Sequence, residues 1–493
     1  MPDALLKLLS DEKTAEDKII DKYDNVRVVD SGEELPVYKI NLPFLTPADK
    51  STIEAVQRVA TRVIDLRKED LDSRKRKESI KEKVEELLAK STTINAPKSK
   101  LKVYADIVSR EIGGYGLLDY LLDDDQLEEV MVVPPKRDVY VFHRKHGMLL
   151  AGITLDNDEY VRNIIERIAR DVGRRVDTSY PLLDSRLPSG DRVNATIKPA
   201  SIDGPTLTIR KFREDPYTMV DMIKFGTLSE EIAAFLWTCV DGMSARPSNI
   251  IISGGTSSGK TTLLNCLAMF IRPTDRVVTI EDTAELKLPL KHWLRLETRP
   301  AGIEGTGELS MDILLKNALR MRPDRMIVGE VRHKEAATLF TAMNTGHQGS
   351  MGTIHANNSD ETLIRLSNPP MSVPEQMSTA LDLIVVENKI NDRRKGMIRR
   401  ITEISEVGGK RKPELNILYE WDGNKDRLEQ IAQKFAVKKK IASFGGTTED
   451  EFEKEVNIRA KLLKTSVEKG FNDIKRFSML VHKYYSKADD GKA

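Results

Sequence analysis

Apolar residues recur along this chain in two rhythms, helical and extended, and the rhythm changes several times. From Thr52 to Leu88 dense charge sits on a helical period. It includes Arg74-Lys75-Arg76-Lys77 and the Glu/Lys-rich stretch that starts at Glu82. Opposite charges three and four residues apart support solvated helices, so residues 1–100 read as a helical N-terminal extension. Lys90 to Lys100, with Pro97, reads as a linker. Residues 101–215 then read as an α/β unit. Helical periodicity reaches Leu122, and the runs Glu129–Val133 and Val139–Phe142 predict strands. Val161, Ile164, Ile165, Ile168, Ala169 and Val172 fall on one helix face. Leu187-Pro188-Ser189-Gly190-Asp191 predicts a turn, with strands at Val193–Ile197 and Thr206–Arg210.

From 216 to 410 four short runs, Ile250–Ile252, Arg276–Ile280, Met326–Val328 and Ser350–Ile354, alternate with helical segments. That alternation predicts a mostly parallel sheet that binds ligands at the carboxyl ends of its strands. Residues 411–493 read as a helical subdomain with a small β element near Leu415–Trp421. Phe452, Val456, Leu463 and Val467 share one helix face. Gly470 stops that helix, and Asn472-Asp473 starts a last one.

Composition narrows the classes. The 493 residues are 40% hydrophobic and 31% charged, with a formal net charge of +1. That suits a soluble protein with real cores and gives no global footprint for nucleic acid or acidic lipid. Two cysteines, Cys239 and Cys266, make neither a disulfide framework nor a zinc site, and a reducing cytoplasm is the natural setting. No apolar run has the length to cross a bilayer. Met1 to Ile20 carries scattered charges and does not read as a signal peptide. Any membrane role is expected to be peripheral, through a protein partner.

The chemistry concentrates after Ile252. Gly254-Gly255-Thr256-Ser257-Ser258-Gly259-Lys260-Thr261 fits the loop that cradles nucleotide phosphates, with Thr262 continuing into a helix. Glycines let the backbone N–H groups face phosphate oxygens, and the helix N-terminus adds a positive field. Lys260 is expected on the β- and γ-phosphates of ATP, and the Thr261 hydroxyl on Mg²⁺. Phosphoryl hydrolysis also needs a carboxylate near a positioned water. The strand at Arg276–Ile280 ends in Glu281 and Asp282, with Glu285 close behind, and the strand at Arg325–Val328 ends in Gly329-Glu330. Gly329 stands where an Mg²⁺-binding Asp is usual. Glu330 is therefore the candidate both for polarising the water and for sensing the metal. The chain has only seven histidines, yet His347 and His355 lie close together. An imidazole can donate to a phosphate oxygen or sense the γ-phosphate.

At these residues the chain resembles the secretion-superfamily ATPases of type IV pili, archaella and type II and IV secretion, above all the CpaF-like ATPases of Tad/Flp pili. The resemblance spans roughly Tyr115 to Val407. It rests on the phosphate loop, Asp184–Ala195, Gly204–Phe212, Thr279–Leu286, Arg295–Pro300, Asn317–Arg332 and Ala342–His347. It implies an α/β fold in which a RecA-like P-loop motor follows an α/β N-terminal domain, arranged as a homohexamer. Glu281 to Glu285 matches the family's Asp box, Glu330 its Walker B glutamate, and His347 to His355 its His box. It also implies arginines from the N-terminal domain and its link to the motor, Arg192 and Arg210 matching better than Arg186, that complete the nucleotide site, in this family often across a subunit boundary. An integral-membrane platform protein is the implied partner. The ends of the chain look more like archaeal members, and the four-cysteine zinc module of many type II secretion ATPases is missing. An archaellum motor, a DNA-translocating RecA-like ATPase and a P-loop kinase are the rival readings. The lack of a basic or aromatic stripe counts against direct nucleic-acid binding.

Overall fold

The computed structural model describes residues 18–490 except 33, 42–44, 66–71, 92–95, 135–137, 156, 213–214 and 302–305. Most of Met1 to Ile20 and the middle of the Lys90–Lys100 linker therefore lie outside the described residues. The chain forms two compact units, Met1–Arg213 and Glu214–Ala493.

In the first unit nine strands make one sheet. Three of them, Lys18–Tyr23, Val26–Asp30 and Val37–Ile40, come from the stretch read as a helical extension. They join the sheet where Val37 pairs with Leu150. The helical reading of 1–100 is thereby corrected: these strands are short, the first is largely exposed, and the burial of Val28 and Tyr38 comes with their place in the sheet. Helices follow at Pro47–Val63 and Ser73–Lys90, each burying one face, with Ile53, Val56 and Ala60 on the first and Ile80, Val84 and Leu88 on the second. The basic run is not wholly solvated. Arg76 is buried and forks onto Asp171 at 2.9 and 2.7 Å. The helix Asp158–Asp171 has the predicted inward face.

The second unit holds another nine-stranded sheet. Its parallel part runs, in spatial order, Trp293–Glu297, Val277–Glu281, Arg325–Val328, Met351–Ile354, Ile250–Ser253, Leu383–Asp392. Strands Gly396–Gly408, Glu414–Asp422 and Arg427–Gln430 continue it antiparallel. One strand separates the phosphate-loop strand from the strand that leads to Glu330, the order of RecA-like motors. Residues beyond 410 do not form a separate helical subdomain. Two strands extend the sheet of the second unit, and the helices Ala436–Gly445, Glu449–Glu468 and Ile474–Asp490 pack on its core. Trp237 stacks on Phe270 and donates to the Tyr485 hydroxyl at 2.7 Å. Arg459 forks onto Asp241 at 2.8 and 3.0 Å, both nearly inaccessible. Among the described residues no helix is long and apolar enough to cross a membrane.

Candidate nucleotide site

Strand Ile250–Ser253 is buried throughout and delivers the chain into the loop, and helix Lys260–Ala268 leaves it. Two glycines permit the turn. A Cβ on Gly254 would run into the Glu387 carbonyl oxygen and sit 2.5 Å from the Ser258 hydroxyl. Gly259, at φ 116°, caps the helix, and a Cβ there would meet the Glu387 carboxyl. Thr256 and Ser257 are exposed, Gly255, Thr261 and Thr262 are half-buried, and Ser258 and Lys260 are buried. The first turn of this helix leaves N–H groups without intrahelical partners, facing any anion held there.

The carboxyl ends of the neighbouring strands converge on Lys260. Its Nζ donates to the Gly255 carbonyl at 2.7 Å and lies 3.4 Å from His355 Nδ1. His355 Nε2 is 3.0 Å from Glu330 Oε1, and Arg332 donates to Glu330 Oε2 at 2.6 Å. Lys260, His355, Glu330 and Arg332 thus form one chain of contacts. Burial pushes the Glu330 carboxyl up. The Arg332 hydrogen bond and the charges of Arg332, His355 and Lys260 outweigh it and hold the group below its ordinary value, so it stays ionised. Burial, with the Lys260 charge, holds the His355 imidazole below its ordinary value against the pull of Glu330.

Glu281 is buried beside them. Its Oε1 accepts from the backbone N–H groups of Glu285 and Leu286 at 2.9 and 3.0 Å, and Oε2 has no partner among the described residues. Burial raises its carboxyl to about 7. The glycine in the usual Asp position now has a reason. A Cβ on Gly329 would lie 2.9 Å from Glu281 Cγ. Asp282 is exposed and within hydrogen-bond range of Thr298 Oγ1 at 3.3 Å, and it acts electrostatically on Arg332. Glu285 lies at the mouth of the same strand end, where its charge acts on Glu281.

Not every predicted residue gathers here. His347 precedes strand Met351–Ile354 whereas His355 follows it, so a buried strand of about 13 Å separates them. Ser350, next to His347, bonds Asn249 at the amino edge of the sheet, away from the phosphate loop. The expectation that His347 and His355 both bind the nucleotide is corrected to this extent: the structure places His355 at the loop's edge of the sheet and His347 at the opposite edge. Arg192 and Arg210 belong to the first unit. They are direct cross-strand partners, so their side chains leave the same face of that sheet. On the other side of Arg210 its cross-strand partner is Glu129, on which its charge acts. Arg186 instead turns back onto the Gly190 carbonyl at 3.3 Å and over the Phe212 ring.

Three residues escaped the sequence reading. Arg332 lies in a loop two residues past Glu330. Arg399, on strand Gly396–Gly408, donates to the Ser257 carbonyl at 3.0 Å. Glu387 lies behind the loop, and an acid closing the apolar run Leu383–Val386 was its visible signal.

The donor set suits a magnesium nucleotide. Beside Gly255 there is open space, where a Cβ would find only Asn357 Oδ1 at 4.0 Å. Thr261 and Glu330 offer hard oxygen donors of the kind Mg²⁺ takes, few in number because phosphates and water supply the rest. Among the described residues no group of three or more His, Cys, Asp or Glu could hold a metal by itself.

Residues 114–411, more than half of the chain, match the family described as type II/IV secretion system protein. An uncharacterised protein of Methanocaldococcus jannaschii is 54% identical over 243 residues, which cover 49% of this chain and 33% of that relative. The chain thus spans about a third of that relative's length. A second uncharacterised protein of the same organism is 34% identical over 394 residues, 78% of this chain and 70% of the relative. The conjugal transfer protein TrbB of Rhizobium radiobacter is 32% identical over 293 residues, 59% of this chain and 86% of the relative. With its phosphate loop, its acids at the strand ends and this match, the chain belongs to the type II/IV secretion system protein family.

Proposed function

We propose that the protein is an ATPase motor that couples hydrolysis to the assembly, and in some settings the retraction, of a Tad-like pilus or a related secretion system. The observation that carries this reading is the chain from Lys260 through His355 and Glu330 to Arg332, closed against the phosphate loop. Family membership and the conjugal-transfer relative support it. Thr261 and Glu330 would hold Mg²⁺ when it is bound with ATP, and the ion would supply neutralisation of phosphate charge. Lys260 leaves the Gly255 carbonyl for those oxygens. The loop N–H groups and the helix N-terminus hold the phosphates in place. Glu330, kept ionised, orients the attacking water and accepts its proton. His355 bridges Lys260 and Glu330, so a move of either one is felt by the other. Arg192 and Arg210 bring a guanidinium pair to the γ-phosphate when domains close, from the same chain or a neighbour, which ties hydrolysis to movement. The working form in this reading is a homohexamer on the cytoplasmic face of a membrane, pushing on an integral-membrane platform protein.

Lys260→Ala tests the site directly. ATP turnover is abolished, because none of the other side chains placed at the loop puts an ammonium on the β/γ oxygens. Near-normal phosphate release by the variant refutes the assignment.

A further inference from the structure

Glu387 is fully buried, and neither carboxyl oxygen has a hydrogen-bond partner among the described residues. Its place is specific. Val386 pairs with Ser253, so Glu387 comes level with Gly254, the first loop residue. The pairing with strand Gly396–Gly408 slips between Val386 and Glu387, and such bulges re-aim side chains. Here the carboxyl is directed at the back of Gly259, the residue that opens the phosphate-binding helix. Gly254 presses on the same residue's backbone.

The groups that act on it come from two elements. Lys260 and Cys266 lie on the helix that follows the loop, and Arg399 lies on the antiparallel strand. Neither cation is hydrogen-bonded to it. Lys260 donates to Gly255 and Arg399 to Ser257, both carbonyls of the loop. The Cys266 thiol is pushed far up by burial, with Glu387 adding to the shift, and stays neutral. Burial likewise raises the Glu387 carboxyl, to about 8, against the pull of Arg399 and Lys260.

We propose that Glu387 is a positioning residue that floors the phosphate loop as a neutral carboxylic acid, and that its ionisation expels nucleotide phosphates by placing a negative charge behind the loop and drawing Lys260 toward it. This rests on the reading of the loop as a nucleotide site. A neutral floor leaves the cradle with the charge of Lys260 and the helix N-terminus. An ionised floor cancels much of it within a few ångströms, in a site where water does not screen. Linkage makes the effect reciprocal. Bound phosphates disfavour the carboxylate, so binding near pH 8 draws a proton onto Glu387.

The test is the dissociation constant of Mg-ADP for the full chain across pH 7 to 9. A carboxyl that titrates at about 8 and binds only when neutral weakens wild-type binding by about tenfold over that range. Glu387→Gln keeps the shape without the charge, and its affinity changes less than twofold. A variant that does not fold leaves a second readout in the wild type, calorimetry at pH 8 in buffers of different ionisation enthalpy. Uptake of about half a proton or more on binding supports the proposal. Equal pH profiles in wild type and variant, or no proton uptake, overturn it. Absence of nucleotide binding at every pH overturns instead the reading of the loop.

Discussion

Gly329→Ala is a small change with a calculable consequence. The glycine does not have a positive φ, so its backbone accepts alanine without strain. On an open strand end the substitution would stabilise by a few tenths of a kcal/mol through the unfolded chain, roughly the low end of such gains. Here the new methyl lands 2.9 Å from Glu281 Cγ and 3.4 Å from its Cβ. Neither side can give. The Glu281 carboxyl is held by two backbone N–H groups, while Gly329 is held by the Ile280 carbonyl at 2.9 Å and the Thr353 hydroxyl at 2.7 Å. Overpacking of this kind costs about 1–3 kcal/mol. In a unit this large each kcal/mol lowers the melting midpoint by roughly 2–4 °C. Tryptophan fluorescence is the assay, because Trp237, Trp293 and Trp421 all lie in the second unit. The decisive step is a double-mutant cycle. Glu281→Ala removes the atom in the way and leaves the buried Leu286 N–H and the half-buried Glu285 N–H without their acceptor, a cost of about 1–3 kcal/mol. In that background Gly329→Ala costs less than about 0.5 kcal/mol, so the pair couples by more than about 0.5 kcal/mol. Additive costs would refute the idea that Glu281 forbids a side chain at 329.

Glu330→Gln retains nucleotide binding while single-turnover hydrolysis falls about a hundredfold or more, the scale of a lost general base; lost binding with intact chemistry would make Glu330 structural. His355→Ala separates Lys260 from Glu330, and the expected outcome is a fall in kcat larger than any rise in KM. A purely structural histidine would instead change melting and leave the ratio alone. Mixing Arg192→Ala subunits with Lys260→Ala subunits asks whether arginine acts across a boundary. Partial recovery of turnover is expected, since some interfaces then join an intact loop to an intact arginine, and a dead mixture counts against action in trans.

The legible parts of the site share one geometric cause. In a parallel sheet every strand ends at the same edge, so residues directly after strands converge without any need to know the contacts. Lys260, Glu281, Glu330 and His355 all follow short apolar runs, and all four lie at that edge. The same rule explains the misplacement of His347. Sequence distance puts it beside His355, yet it precedes the strand and belongs to the opposite edge. The first hundred residues failed for a different reason. Lys-Ile-Ile-Asp-Lys-Tyr at Lys18–Tyr23 has no alternation to read, and among the described residues these strands pair with the rest of the sheet where Val37 meets Leu150, more than a hundred residues later.

Glu387 and Arg399 show where motif reading stops. Both reach the phosphate loop from strands that come more than a hundred residues later in the chain, one parallel and one antiparallel. Neither sits in a recognisable pattern, because their roles depend on what lies behind the loop rather than on what touches phosphate. Local sequence specifies the face a ligand meets. The rear wall is set by sheet order, which brings the strand Leu383–Asp392 beside Ile250–Ser253. An acid closing a buried apolar run is a contradiction in local terms, since a carboxylate there has no solvent. Such a contradiction marks either a partner or a proton, and among the described residues Glu387 has no hydrogen-bond partner. On the proposal above it is a proton, so the charge of this loop depends on a residue outside its motif.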